Sequence, residues 1–241
     1  MTIEAAGKAS STTKAVKPKS TNGKTVEQSF DCSSCGVRNC SRQTAKFPDF
    51  CPTTNADAML LKSAKRAYLG KSLDAKMARA SAEVEGTYYG KLTRVEEIIA
   101  FANRIGAKRI GIATCIGLIE ETRVFVKILK ANDLEPHAVL CKVGSVDKTE
   151  IGIPEEMKLQ KGVHESICNP VLQAKLLNQW KSDLNVIVGL CVGHDSLFIR
   201  HASAPVTTLI VKDRVTGHNP AAALYTCGFY YKRLFKEGRG L

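Results

Sequence analysis

The chain has 241 residues, 44% of them hydrophobic, enough for one sizeable core and a small appended module. No apolar run approaches the roughly 20 residues a bilayer-spanning helix needs, and the amino end lacks the apolar stretch of a secretory signal. Membrane and secreted classes are therefore not expected. The net charge is +12, but half of that excess lies in the two ends, +3 in residues 1–29 and +3 in residues 230–241. With only 6% aromatic residues and no alternation of basic and aromatic positions, nucleic acid is not expected as a main partner.

In chain order, residues 1–29 are rich in Ser, Thr, Lys and Ala and read as a flexible basic tail. A four-cysteine module follows over 30–54, with Cys32, Cys35, Cys40 and Cys51 in the pattern C-x2-C-x4-C-x10-C and Pro52 after the last. Four thiolates at short loop spacing suit one tetrahedral zinc ion or one iron–sulfur cluster. Disulfides are the competing explanation. The odd count of nine cysteines and the absence of a secretory signal favour a reducing cytoplasm and metal chemistry.

The remainder, 55–241, is expected to be an α/β domain opened by helices. Residues 57–69 and 74–89 carry apolar positions at helical spacing, and a third helix is punctuated by a Thr93/Glu96 capping box and stopped by Gly106. The period then changes. Residues 108–114, 136–140, 184–190 and 206–211 read as buried strands, and 117–131 and 170–180 as helices, the latter capped by Asn169 and opened by Pro170. Apolar strands alternating with helices predict a Rossmann-like, mostly parallel sheet with flanking helices. Gly111 falls within a strand, so no dinucleotide-binding fingerprint is present.

Three further cysteines stand at matching places: Cys115, Cys141 and Cys191 each end a predicted strand, and Cys168 immediately precedes the Asn169–Pro170 helix start. Ligands of open parallel sheets bind beyond the carboxyl ends of the strands. A thiol-lined cofactor site at Cys115, Cys141, Cys168 and Cys191 is therefore expected, against the alternative that each packs as a small apolar residue. Polar groups gather at the same edge: His194, Lys212, Asp213 and His218 are the candidate catalytic residues, for protons or an anionic substrate. Asp213 could instead pair with Arg214. Cys227 has no such context and reads as structural, and Glu120 and Glu121 as first-turn helix residues.

Several stretches together resemble a known family: C-x2-C-G-x3-C with a later Cys51-Pro52, then Thr93-Arg94-Val95-Glu96-Glu97, Gly111 to Leu118, Cys168-Asn169-Pro170, Gly189 to Asp195, Val211 to Val215 and Gly217 to Pro220. They look like the metal-binding proteins grouped as domain of unknown function number eighteen-forty-seven, over about Asp31 to Tyr225. The resemblance implies a prokaryotic, often anaerobic metal-binding protein and carries the family's cysteine motif onto Cys32, Cys35, Cys40 and Cys51. It lends no reaction. Thr114 departs from the bulkier residue expected there.

Between metals, Cys35-Gly36 suits a zinc knuckle and Cys51-Pro52 the end of a ferredoxin-type run; the second thiol set tilts the choice toward a 4Fe–4S cluster over zinc. The resulting expectation is a cytoplasmic iron–sulfur redox protein or enzyme with a small-molecule ligand or an electron-transfer partner. A zinc-braced module that binds a small ligand is the alternative.

Overall fold

A computed structural model describes residues 31–238; the expected flexible tail at 1–29 lies outside the described residues. The chain divides into two compact units, Met1–Ala64 and Lys65–Leu241, each described in turn.

In the first unit, Asp31 caps a 3-10 turn at Cys32–Ser34 by accepting the Ser33 N–H at 3.0 Å. A second turn, Asn39–Ser41, buries Asn39, whose side-chain oxygen accepts the Ala45 N–H at 2.8 Å. That single amide holds the middle of the module together where no apolar core is available. Helix α1 (Pro52–Asn55) follows, with Cys51 at its cap and Pro52 at its first position, where the missing N–H costs nothing. Helix α2 is Ala58–Ala67.

In the second unit, Ser72 caps α3 (Leu73–Tyr88). The predicted capping box of α4 (Arg94–Ile105) is present in both directions, and Gly106 ends that helix at φ 77°, a left-handed conformation that glycine adopts without strain. Four strands then alternate with helices: β1 (Arg109–Thr114), α5 (Ile119–Ala131), β2 (Glu135–Leu140), α6 (Pro170–Trp180), β3 (Leu184–Val188), α7 (His194–His201) and β4 (Val206–Ile210), with α8 (Ala221–Tyr225) after them. All pairings are parallel, in the order β2-β1-β3-β4. The expected α/β architecture with a parallel sheet and flanking helices is the one observed.

Strand order dictates where the helices go. The step from β1 to β2 runs one way across the sheet, and the steps from β2 to β3 and β3 to β4 run the other way. Right-handed crossovers therefore place α5 on one face and α6 with α7 on the opposite one. The two cores agree. Ile110, Ile112, Val186 and Val188 pack with Phe125 and Leu129 of α5 and Ile98, Ile99 and Ala102 of α4. Ala113, Val139 and Ile187, on alternate positions of the same strands, pack with Ala174 and Leu177 of α6 and Phe198 of α7. Each fully buried Leu, Ile or Phe contributes about 1.5–3 kcal/mol. The chain's direction across the sheet reverses between β1 and β3, which opens a crevice at their carboxyl ends.

Two differences from the expected elements bear on that crevice. Strand β3 stops at Val188 rather than Leu190, because Gly189 turns to φ 71° and any side chain there would run into Leu118. Cys191 thus lies beyond the strand in the turn before α7. Helix α7 places His194 as its first residue rather than in a loop.

Candidate functional site

Parity along the strands carries the cysteines to one place. Cys115 continues the β1 positions Gly111 and Ala113, and Cys141 continues the β2 position Val139, so both face α6 and join the core on that side. The ladder runs one step past the strands, with the Cys141 N–H donating to the Thr114 carbonyl at 2.8 Å. Cys168 arrives from the other direction: the N–H of its neighbour Asn169 donates to the Cys141 carbonyl at 2.7 Å, and the Asn169 side chain caps α6 by accepting the Leu172 N–H at 3.0 Å. Cys141 consequently lies between Cys115 and Cys168, the first sharing its buried cluster on the α6 side and the second packed against that cluster. Cys115 and Cys141 are buried at 5% and 1% exposure, while Cys168 and Cys191 are half-buried.

Gln173, wholly buried on α6, supports this cluster from beneath. Its side-chain amide donates to the Val139 carbonyl at 2.7 Å and the Thr114 carbonyl at 3.2 Å, clamping the ends of β1 and β2 together. On the other face Thr114 is also buried, and its hydroxyl pairs with Thr122 at 2.7 Å. That partner explains why a small polar residue is tolerated at the position where a bulkier one was expected.

Cations surround the sulfurs. The Arg214 guanidinium donates to Cys191 Sγ at 3.1 Å, and not to Asp213, correcting the ion pair that the sequence suggested. Lys212 reaches over Gly117, where a side chain would sit 3.2 Å from its Nζ, and acts on Cys115. Lys142 acts on Cys168 while its ammonium donates to the Ser166 carbonyl. The Ile116 N–H donates to Cys141 Sγ at 3.3 Å. The protonation consequences are large. The Cys141 thiol, as donor, and then the Gly117 amide and Lys212 bring Cys115 down from the ordinary 9.0 to about 5, against the cost of burial. The Cys141 thiol followed by Lys142 and His194 brings Cys168 down to about 6. Cys141 moves the opposite way, because its two neighbours hold charge and its proton is shared with them. One S–H serves one acceptor at a time, so the three titrate as a unit whose last proton resides on Cys141.

The four candidate catalytic residues divide. Lys212 and His194 stand at the thiols, and His194 Nδ1 is buried without a hydrogen-bond partner. Asp213 and His218 serve the loop instead: the Asp213 carboxylate accepts the Val215 and Thr216 N–H groups at 2.9 and 3.0 Å, and His218 Nδ1 accepts the Asp213 N–H at 3.2 Å. Their effect is to aim Lys212 and Arg214, which flank Asp213 in the chain. Arg214, Lys142 and Gln173 were missed by sequence reasoning. The available signal was a basic residue beside each strand-end thiol stretch.

A groove of about 410 Å³ lies at the opposite, amino end of β3 and β4, lined by Met77, Val84, Ile98, Phe101 and Leu184. Glu85, Arg94 and Glu97 also line it, and it lies at the other end of the strands from the cysteines above. The N-terminal four-cysteine module has its own features. Cys35 Sγ accepts the Arg38 N–H at 3.4 Å, and the Cys51 thiol is buried and lowered by the Thr53 hydroxyl. Among the described residues, no group of three or more His, Cys, Asp or Glu side chains stands arranged to hold a metal ion.

Comparison with known proteins places this geometry. Residues 51–209 match the family described as "Protein of unknown function (DUF1847)". The chain belongs to that family. An uncharacterised protein of Methanocaldococcus jannaschii is 48% identical to it over 169 residues, covering 70% of this chain and 84% of the relative. No solved structure matches the chain. The DUF1847 match takes in Cys51, Cys115, Cys141, Cys168, Cys191 and His194, and stops short of Cys32, Cys35 and Cys40 and of the Lys212–Arg214 loop. It is narrower at both ends than the stretch over which the sequence motifs resembled the family. Among the described residues no helix is long and apolar enough to cross a membrane.

Proposed function

We propose that the protein is an iron–sulfur redox protein of the cytoplasm whose working site is the strand-end thiol crevice. In this reading Cys32, Cys35, Cys40 and Cys51 hold a 4Fe–4S cluster, with zinc as the alternative occupant, and an electron-transfer partner or small-molecule ligand meets Cys115, Cys141, Cys168 and Cys191. The observation that carries the reading is the gathering of Cys115, Cys141 and Cys168 in one cluster at the sheet's reversal point, with Lys142, Lys212 and Arg214 beside it. Such cations stabilise thiolates, the form that ligates metals and attacks electrophiles.

The donor set of the N-terminal module fits the group. It offers four thiols, its Asp31 carboxylate is engaged in capping the first turn, and the Cys35 sulfur already accepts a backbone N–H, as outer-shell bonds to metal thiolates do. Closure of such a ligand set accompanies metal binding. When bound, a cluster supplies one-electron chemistry; zinc supplies only a brace. A second reading, in which the crevice thiols themselves hold a second cluster, is favoured by the orphaned His194 Nδ1 beside them.

Anaerobic purification followed by iron, zinc and acid-labile sulfide assay per chain tests the proposal. Iron with sulfide that is lost in a Cys32→Ser/Cys35→Ser variant and kept in a Cys115→Ser/Cys168→Ser variant is the expected result. Loss in both variants supports the second cluster. One zinc, no sulfide and no visible colour would refute the redox reading and leave the zinc-braced binding module.

A further inference from the structure

We propose that Cys168 and Cys141 form a dithiol that reduces small disulfides, with Cys168 attacking and Cys141 resolving. The inference rests on reading the crevice as the working thiol site, and it names the substrate class.

Three observations place the roles. The Asn169 N–H to Cys141 carbonyl bond of 2.7 Å sets residue 168 directly beside residue 141, and Cys168 packs against the buried cluster that contains Cys141. Cys168 is half-buried and reachable, while Cys141 is 1% exposed, so an incoming disulfide meets Cys168 first and Cys141 only through it. Cys141 has a third thiol on its other side. The register Thr114↔Leu140 makes Cys115 and Cys141 next neighbours on parallel strands, where the usual spacing of about 4.8 Å lies within the range a disulfide spans.

The chemistry balances. The Cys168 thiolate attacks one sulfur of R–S–S–R; the Cys168–S–R bond forms, the S–S bond of the substrate breaks, and R–S⁻ departs. Cys141 then attacks the Cys168 sulfur, the Cys141–Cys168 disulfide forms, and the second R–S leaves with the Cys141 proton as R–SH. The protein loses two electrons and the disulfide gains them. Cys115 can exchange into the new bond and move it inward to Cys115–Cys141, freeing Cys168. Arg214 and Lys212 favour substrates that carry a carboxylate or another anion.

The test uses the full chain, purified anaerobically and challenged with oxidised glutathione, then quenched by alkylation and mapped by mass spectrometry. Wild type is expected to form one internal disulfide containing Cys141 and to release two equivalents of reduced glutathione in forming it, any third equivalent being matched by one glutathione on a Cys168 freed by exchange. Cys141→Ser is expected to stop after one equivalent, with glutathione trapped on Cys168. Cys168→Ala is expected to slow release at least tenfold. Cys227→Ser, outside the cluster and the residues packed against it, is the control and keeps the wild-type stoichiometry, with circular dichroism checking the fold of each variant. Glutathione spread over all cysteines, no internal disulfide in wild type, or full release from Cys141→Ser would overturn the proposal. Iron and sulfide, measured on the same samples, report separately on the cluster, so either reading can fail alone.

Discussion

Replacing Cys141 by Ala tests whether the cluster is an electrostatic unit, because the Cys141 thiol is the largest cause of the lowered Cys168. At about 6, Cys168 is roughly nine-tenths thiolate at pH 7; at the ordinary 9.0 it would be about one-hundredth thiolate. That is a loss of about 90-fold in reactive form. A more basic thiolate is also a better nucleophile, and a Brønsted slope of about 0.4–0.5 returns roughly 15–30-fold across the same gap. The net fall in rate at pH 7 is therefore only about three- to six-fold if the full change occurs. The rate at one pH is a weak readout and the midpoint a strong one. The assay follows adduct formation on the Cys168 peptide with dipyridyl disulfide from pH 4 to 10, with a chelator present. Wild type should titrate near 6 and Cys141→Ala well above it. Lys142→Met should move the midpoint upward by less, since Lys142 is a smaller cause. An unmoved midpoint in Cys141→Ala, or a larger movement in Lys142→Met, would refute the reasoning.

Two further outcomes follow from the scaffold. Gly111 packs against the wholly buried Asn185, so Gly111→Ala drives a methyl into Asn185 Oδ1 and should cost about 1–3 kcal/mol in urea melts. Adding Asn185→Ala should recover part of that loss, and a double variant no better than the sum of the singles would contradict the clash. Lys158, buried in the strap between Cys141 and Cys168, bonds Asp147 and Glu155, both at 2.9 Å. Both carboxyls are held below their ordinary values, so their contribution is complete above the carboxylate range and fades as pH falls through the lowered values. Lys158→Met should lower the melting temperature at neutral pH and speed proteolysis within 148–165. At pH 3, where wild type has already lost part of this contribution, the two should differ less.

The sheet was legible because its signals are local. Apolar runs at 108–114 and 184–190, caps at Thr93 and Asn169 and a stop at Gly106 each act within a few residues; the caps and the stop appear where expected, and the strands differ from the expected bounds only at their ends. Helix α7 was poorly legible, since its eight residues have no side-chain cap and no clear apolar stripe, and only Phe198 is buried from it. The gathering of Cys115, Cys141 and Cys191 at one edge could be inferred from strand ends alone. The partners could not. Arg214 pairs with a cysteine 23 residues earlier rather than with the Asp213 beside it, because the Asp213 carboxylate is already taken by two backbone N–H groups of its own turn. Short-range competition of that kind decides side-chain direction and leaves no trace in spacing.

Packing alone accounts poorly for the crevice. Cys115 and Cys141 fill space beside Leu190 and Phe198 as alanine or valine would, and a purely apolar role needs nothing more. Yet a guanidinium rests on Cys191, an ammonium is admitted over Gly117 toward Cys115, and a backbone N–H is directed at Cys141. Donors aimed at apolar sulfur would sacrifice hydration for little return; toward a thiolate such as Cys115 the ammonium forms a charge-assisted bond. The loop that carries Lys212 and Arg214 is itself fixed by the reciprocal Asp213–His218 backbone and ring contacts, so the cations are held in place. The arrangement favours the charged form at Cys115 and Cys168 and the protonated form at Cys141, and those neighbours, more than the burial, distinguish these cysteines from ordinary core residues.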